Sequence, residues 1–192
     1  MNNPIEKFND LWRQALLDSP LQQKSAVCVS TINAEGFPES RFVDLKQVDE
    51  QGFVFCTYYD SNKGQEISCN PKVSLTVWWD HIGQQVRVVG LAEQISEQAA
   101  IQFWQTRSRS AQLTTLSCEQ SQPLSSESAL VEQFDKTQQT FEGKEVTKPE
   151  KWGGYRIRPV SIEFLAFAES RLHLRTRFTK KNDVWTKMLL QP

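Results

Sequence analysis

Histidine and closely spaced cysteine are scarce in this sequence, and that scarcity narrows its chemistry. It contains two histidines, His81 and His173, and four cysteines, Cys28, Cys56, Cys69 and Cys118, with no CxxC pair among them. Zinc sites draw several such ligands from short motifs, so no metal centre is expected. Long apolar runs are missing too: no stretch approaches the ~18 residues of a membrane-spanning helix. The opening MNNPIEKFNDLW lacks the charged-then-apolar pattern of a secretory leader, which leaves reduced thiols in a cytoplasmic protein as the expectation. Neither sign of charge is in excess, with 22 Lys and Arg against 23 Asp and Glu. A near-neutral chain without an RNP-like aromatic motif is not expected to bind nucleic acid, so any anion site has to be local. GxSxG and GxxxxGK[ST] are absent, which leaves serine acyl transfer and P-loop chemistry without a motif.

What is present is the composition of a globular protein: 192 residues, 39% hydrophobic and 23% charged. A domain of this size buries about 70% of its unfolded surface. Pro4 to Asp18 reads as an amphipathic helix, with Phe8, Leu11, Trp12, Ala15 and Leu16 at helical spacing. From Ala26 the period changes to two. AVCVSTI, SRFVDLKQV and FVFCTYY are strands separated by the turn-forming clusters NAEG and DEQG. A short helix over Lys63 to Cys69 stops at Asn70-Pro71. KVSLTVWW and QQVRVVGLAEQI are further strands, with Gly90 marking a bulge or a close backbone approach.

Ser96 caps a helix over SEQAAIQFWQTR, although Ala99 at the third helical position leaves the capping box incomplete. CEQSQPLSS is a polar loop, Glu127 to Glu142 a helix, and EGKEVTKPEKWGG a second loop. YRIRPVSIEFLAFA, RLHLRTRF and DVWTKMLL are the last strands, with KKND as a turn. Short antiparallel strands with a few helices give a mainly β, α+β protein: a small β-barrel with helices packed outside it.

The charged residues raise the first functional question. In ESRFVDLK, Arg41 shares a strand face with Val43 and Leu45, and Lys46 shares the other with Phe42 and Asp44. Either the strand lies near an edge with Lys46 paired to Asp44 or solvated, or it carries an anion site on each side. Lys63, beside a glycine at a helix start, is a natural seat for phosphate. Arg171, His173 and Arg175 alternate. If RLHLR is extended, they share one face and repel unless a carboxylate, a phosphate or water relieves them.

RFVDLK, DEQGFVFCT, NPKVSLTVWW, EQSQ, WGGYRIRP and SRLHLR occur in that order, and with them the chain resembles the pyridoxamine 5′-phosphate oxidases from about Asn3 to Pro192. The resemblance implies a homodimeric FMN-binding split β-barrel with the cofactor at the subunit interface. It implies oxidation of pyridoxamine or pyridoxine 5′-phosphate to pyridoxal 5′-phosphate by hydride transfer to FMN, which dioxygen reoxidises. An FMN-binding split-barrel domain over 1–150, with its N-terminal and peripheral helices, would be completed by C-terminal strands over 151–192 that finish the barrel and the dimer and substrate site, as one structural domain.

Carried over by position, the resemblance places Arg41, Asn62 and Lys63 at the FMN phosphate and the run Arg41, Phe42, Val43, Asp44 and Lys46 along the flavin. Cys56, Thr57, Gln85, Gln120, Ser121 and Leu165 are further cofactor contacts, and Arg175 lies near the ring. Lys46, Phe103, Arg107, Ala111, Arg171 and His173 line the substrate, with Arg171 and His173 orienting its ring as the catalytic pair.

Several positions depart from the family pattern. Phe103 stands where tyrosine is usual, Ala111 where serine is, and Asn62 where arginine is. Leu165 replaces a tryptophan, Leu174 an aspartate, and Cys56 an aromatic residue. Each hydrogen bond lost to a charged oxygen costs ~1.5–3 kcal/mol. The altered substrate seat keeps two other expectations open: an FMN oxidoreductase acting on a different, non-phosphorylated ring, and a non-catalytic flavin- or pyridoxal phosphate-binding protein.

Overall fold

A computed structural model describes residues 3–17 and 19–192. Asp18, where the first expected helix ends, lies outside the described residues. The alternating stretches form strands β1 (Ala26–Ile32), β2 (Pro38–Asp49), β3 (Gly52–Tyr58), β4 (Lys72–Trp79), β5 (Gln84–Gln94), β6 (Trp152–Ala166), β7 (Leu174–Lys181) and β8 (Val184–Leu190). The helices are α1 (Pro4–Leu17), α2 (Asn62–Cys69), α3 (Glu97–Gln105), α4 (Arg109–Ser117) and α5 (Glu127–Thr140). The sheet runs β3-β2-β1-β4-β5-β6-β7-β8, and β3 pairs again with β6. The first six strands therefore close into a barrel, which removes their edges, and β7 and β8 extend beyond it.

The chain forms two compact units. The first comprises Met1–Phe55, Glu66–Glu93 and Tyr155–Pro192. Its core follows the two-residue period: Val73, Leu75, Val77 and Trp79 of β4 are buried, while Trp78 between them is 55% exposed. Phe8 of α1 is fully buried, with its ring 4.8 Å from Phe53 and 5.4 Å from Trp79. Gly90 marks a close approach: a Cβ there would lie 2.3 Å from the carbonyl oxygen of Arg158 on β6. Asn182 and Asp183 both take positive φ, 49° and 59°, as a two-residue hairpin turn between right-twisted strands requires.

The second unit comprises Cys56–Gln65 and Gln94–Gly154. Trp104, Leu113, Val146 and Trp152 form its core, with Cys56, Tyr58, Phe103, Leu116, Phe134 and Phe141 packed around them. The Trp104 and Trp152 rings meet edge to face at 5.0 Å, and the Trp104 indole N–H donates to the Val146 carbonyl at 2.8 Å. A serine caps each of the three helices here. Ser96, Ser108 and Ser126 accept from the backbone N–H of Ala99, Ala111 and Ala129 respectively.

Two local readings of the sequence need correction. Helix α4 was not anticipated, because only Leu113 on it is buried and its apolar period is weak. RLHLR is not extended from its first residue. Arg171 has φ 62° and its N–H closes a turn onto the Ala168 carbonyl at 2.9 Å, so β7 starts only at Leu174. Arg171 and His173 therefore precede the strand that carries Arg175.

Candidate cofactor and substrate site

In the second unit, Lys63 sits in the first turn of α2 and is 8% exposed. Its ammonium donates to Thr57 Oγ1 at 3.2 Å, Ser61 Oγ at 3.3 Å and Gln120 Oε1 at 3.2 Å. These acceptors are neutral oxygens that fix the ammonium's position. The Thr57 hydroxyl in turn donates to Gln120 Oε1 at 2.9 Å. Ser121 Oγ accepts the N–H of Asn62 at 3.3 Å, one of the amides that a helix start leaves without an intrahelical partner. Ser121 holds this place with φ 73°, a strained backbone for a residue with a Cβ. Thr57, Lys63 and Gln120 form one hydrogen-bonded set, and Asn62 and Ser121 a contact beside it. Ser61, fully buried within that set, was not singled out in the sequence; the signal was a hydroxyl just ahead of a helix start.

Gln120 also borders a cavity of about 370 Å³ lined by Tyr58, Asp60, Cys118 and Lys151, among others. The Tyr58 hydroxyl donates to the Thr115 carbonyl at 2.6 Å. Burial, then Asp60 and Cys118, pushes its pKa up to about 12. It stays a neutral phenol near neutral pH and is no general base there.

The same unit carries three residues of the expected substrate set. Arg107 turns inward: its Nη2 donates to the Ala111 carbonyl at 3.0 Å and Thr115 Oγ1 at 2.9 Å. Its guanidinium carbon lies 5.2 Å from the Trp152 ring centre and 5.8 Å from that of Trp104. Phe103 packs against the same core. Ala111 contributes backbone alone to these contacts, its N–H capped by Ser108 and its carbonyl taken by Arg107 and Thr115.

In the first unit, Arg41, Val43 and Leu45 of β2 point to the more buried side, while Phe42 is 76% exposed. Arg41 donates to Thr31 Oγ1 and, at 3.0 Å, to Glu66 Oε2. Lys46 lies at a bulge between Leu45 and Gln47, and its ammonium is 2.5 Å from Asp44 Oδ2. The strand thus shows the plain Lys46–Asp44 ion pair that its sequence allowed.

The C-terminal residues of this unit form another group. Arg175 stands opposite Leu165 across β6 and β7. It grips Glu163 Oε1 through Nε at 3.1 Å and Nη2 at 2.8 Å, with Arg87 Nη1 3.7 Å from the same oxygen. Glu163 is the carboxylate that pairs with Arg175, and it was not nominated from the sequence. His173 Nδ1 accepts the backbone N–H of Ala168 at 3.1 Å. That contact puts the ring proton on Nε2 and leaves Nε2–H as a donor. Phe167 backs the imidazole edge to face at 5.3 Å and meets Trp78 at 4.9 Å. Gln85 pairs with Trp78 across β4 and β5.

The donor chemistry of the Lys63 set fits a phosphate ester: a buried ammonium, an amide side chain and hydroxyls at a helix start. Among the described residues no cluster of His, Cys, Asp and Glu could hold a metal ion, and no helix is long and apolar enough to cross a membrane.

Comparison with known proteins follows the same lines. Residues 14–141 match the family described as pyridoxamine 5′-phosphate oxidase. Residues 152–192 match the pyridoxine 5′-phosphate oxidase C-terminal dimerisation region. A pyridoxine/pyridoxamine 5′-phosphate oxidase of Rubrobacter xylanophilus is 38% identical over 190 residues, covering 99% of this chain and 87% of that protein. One from Vibrio cholerae is 37% identical over 190 residues, covering 99% and 90%. Among solved structures, PhzG from Burkholderia lata 383, in complex with tetrahydrophenazine-1-carboxylic acid, superposes with a TM-score of 0.92 at 26% identity. That match covers 100% of this chain and 94% of that one.

Proposed function

Because the chain belongs to the pyridoxamine 5′-phosphate oxidase family, we propose that it oxidises pyridoxine or pyridoxamine 5′-phosphate to pyridoxal 5′-phosphate. It is an FMN-dependent oxidoreductase. The bound flavin supplies a two-electron acceptor for the hydride and passes the electrons to dioxygen. The observation that carries this reading is the buried Lys63 ammonium, held by Thr57, Ser61 and Gln120. That arrangement supports a role in holding the cofactor phosphate, with Ser121 and the α2 start beside it; the family resemblance assigns Arg41 to the cofactor phosphate as well. Arg175, braced by Glu163, offers a guanidinium in fixed orientation to the flavin ring. Arg171 and His173 orient the substrate. With Nδ1 already accepting from Ala168, His173 serves as a hydrogen-bond donor through Nε2 rather than as a base. Two copies of the chain form a homodimer with FMN where they meet. The match to a dimerisation region and the exposed Leu174, Val184, Met188 and Leu189 of β7 and β8 support this.

The reading is tested by supplying FMN during purification, desalting, and assaying aerobic conversion of pyridoxine 5′-phosphate. Yellow protein that forms pyridoxal 5′-phosphate and hydrogen peroxide in equal amounts is expected. Colourless protein after desalting overturns the cofactor assignment.

A second reading draws on Phe103, Ala111 and Arg107. The first two offer no side-chain donor, and the third is already bonded to Ala111 and Thr115. Such a pocket suits a ring without a phosphate, and the ring carboxylic acid bound by PhzG is one such ligand. Faster flavin reduction by an unphosphorylated ring than by pyridoxine 5′-phosphate would favour it.

A further inference from the structure

We infer that Glu66 sets the cofactor affinity of this protein by competing with the FMN phosphate for Arg41. The inference rests on the FMN reading above and concerns a residue to which that reading gives no role. Glu66 lies on α2 and is 8% exposed. Its Oε2 takes Arg41 Nη2 at 3.0 Å and also accepts the hydroxyl of Thr31. Thr31, fully buried on β1, accepts in turn from Arg41 Nη1. Glu39 Oε2 stands 3.5 Å from the same Arg41 Nη2. Two carboxylates, one from α2 and one from β2, therefore attend one nitrogen of a single guanidinium, and a buried hydroxyl bonded to Glu66 holds the other.

A guanidinium binds phosphate well because its planar fork and its charge are both available. Here Glu66 and Thr31 have already engaged the two ends of the fork, and Glu66 has paired with its charge. An arriving phosphate dianion has to share Arg41 with a buried anion or displace it, and either course raises the cost of binding. Glu66 thus tempers what Arg41 adds to cofactor binding.

Glu66→Gln keeps the shape and an acceptor oxygen for both Thr31 and Arg41 while removing the charge. The test titrates full-length, flavin-free protein with FMN and, separately, with riboflavin, following quenching of flavin fluorescence. Glu66→Gln should lower the Kd for FMN about tenfold or more while moving that for riboflavin by less than about twofold. The double variant Arg41→Gln/Glu66→Gln, which removes both charges, should return the FMN Kd to within about threefold of the wild type. An unchanged or raised FMN Kd in Glu66→Gln, with the wild type still preferring FMN to riboflavin, overturns the inference and leaves the cofactor reading standing. A wild type that binds FMN no more tightly than riboflavin overturns both. If Glu66→Gln does not fold, the double variant decides. Loss of its preference for FMN overturns the inference, because an already neutralised Arg41 has little to lose.

Discussion

At the scale of single residues, the proposed role of Lys63 in holding the cofactor phosphate carries a prediction. Lys63→Met should raise the Kd for FMN by about 10–100-fold and leave riboflavin binding nearly unchanged, since a charge-assisted bond is worth ~1.5–3 kcal/mol. Fluorescence titration reads both. Phe103 and Ala111 are the converse, positions where donors are missing. If the pocket takes a phosphorylated ring, Phe103→Tyr with Ala111→Ser should tighten pyridoxal 5′-phosphate binding about tenfold or more; an unchanged Kd would show that the phosphate does not reach them. Lys63 was legible in the sequence because a cation next to glycine at a helix start has few structural uses. Glu66 was not, because it comes from a helix beyond β3 to meet Arg41, and nothing in a strand's local pattern names such a partner; Thr31 lies on the paired strand β1 but reads locally as an ordinary strand residue.

At the scale of elements, legibility followed periodicity. β1 and β4 fall where strict alternation put them, residue for residue, because one face of each is buried and a slip of one residue would turn the core outward. Helix α4 escaped because its apolar stripe is nearly absent; its one clear local mark is Ser108 three residues ahead of Ala111. That cap carries a prediction: Ser108→Ala should cost about 1 kcal/mol in urea unfolding. Gly90→Ala should cost about 1–3 kcal/mol by the same measurement, since its Cβ would press on the Arg158 carbonyl and force two paired strands apart. The turn before β7 was misread as strand because alternating basic residues imitate an edge strand. The turn is fixed by the left-handed backbone of Arg171, which no side-chain pattern announces.

At the scale of the whole molecule, the barrel was legible from several strands in succession, and the link from Thr57 and Lys63 to Gln120 only through family resemblance. Acid stability provides a test independent of the cofactor. Burial works to raise the Asp49 pKa, but hydrogen bonds from Arg156 and the Gln51 amide, with the Arg156 charge, outweigh it and hold the carboxyl below its ordinary 3.8. A depressed pKa means stability that is present above 3.8 and lost as pH falls through the folded value. The urea midpoint should therefore fall less between pH 5 and pH 3 in Asp49→Asn than in the wild type; parallel losses would contradict the assignment. The central claim is that this chain oxidises a phosphorylated pyridine through FMN, and anaerobic mixing of the FMN-loaded protein with pyridoxine 5′-phosphate tests it most directly. The account predicts bleaching of the flavin absorbance with an equimolar yield of pyridoxal 5′-phosphate. Flavin that stays oxidised at saturating pyridoxine 5′-phosphate and pyridoxamine 5′-phosphate alike would contradict it.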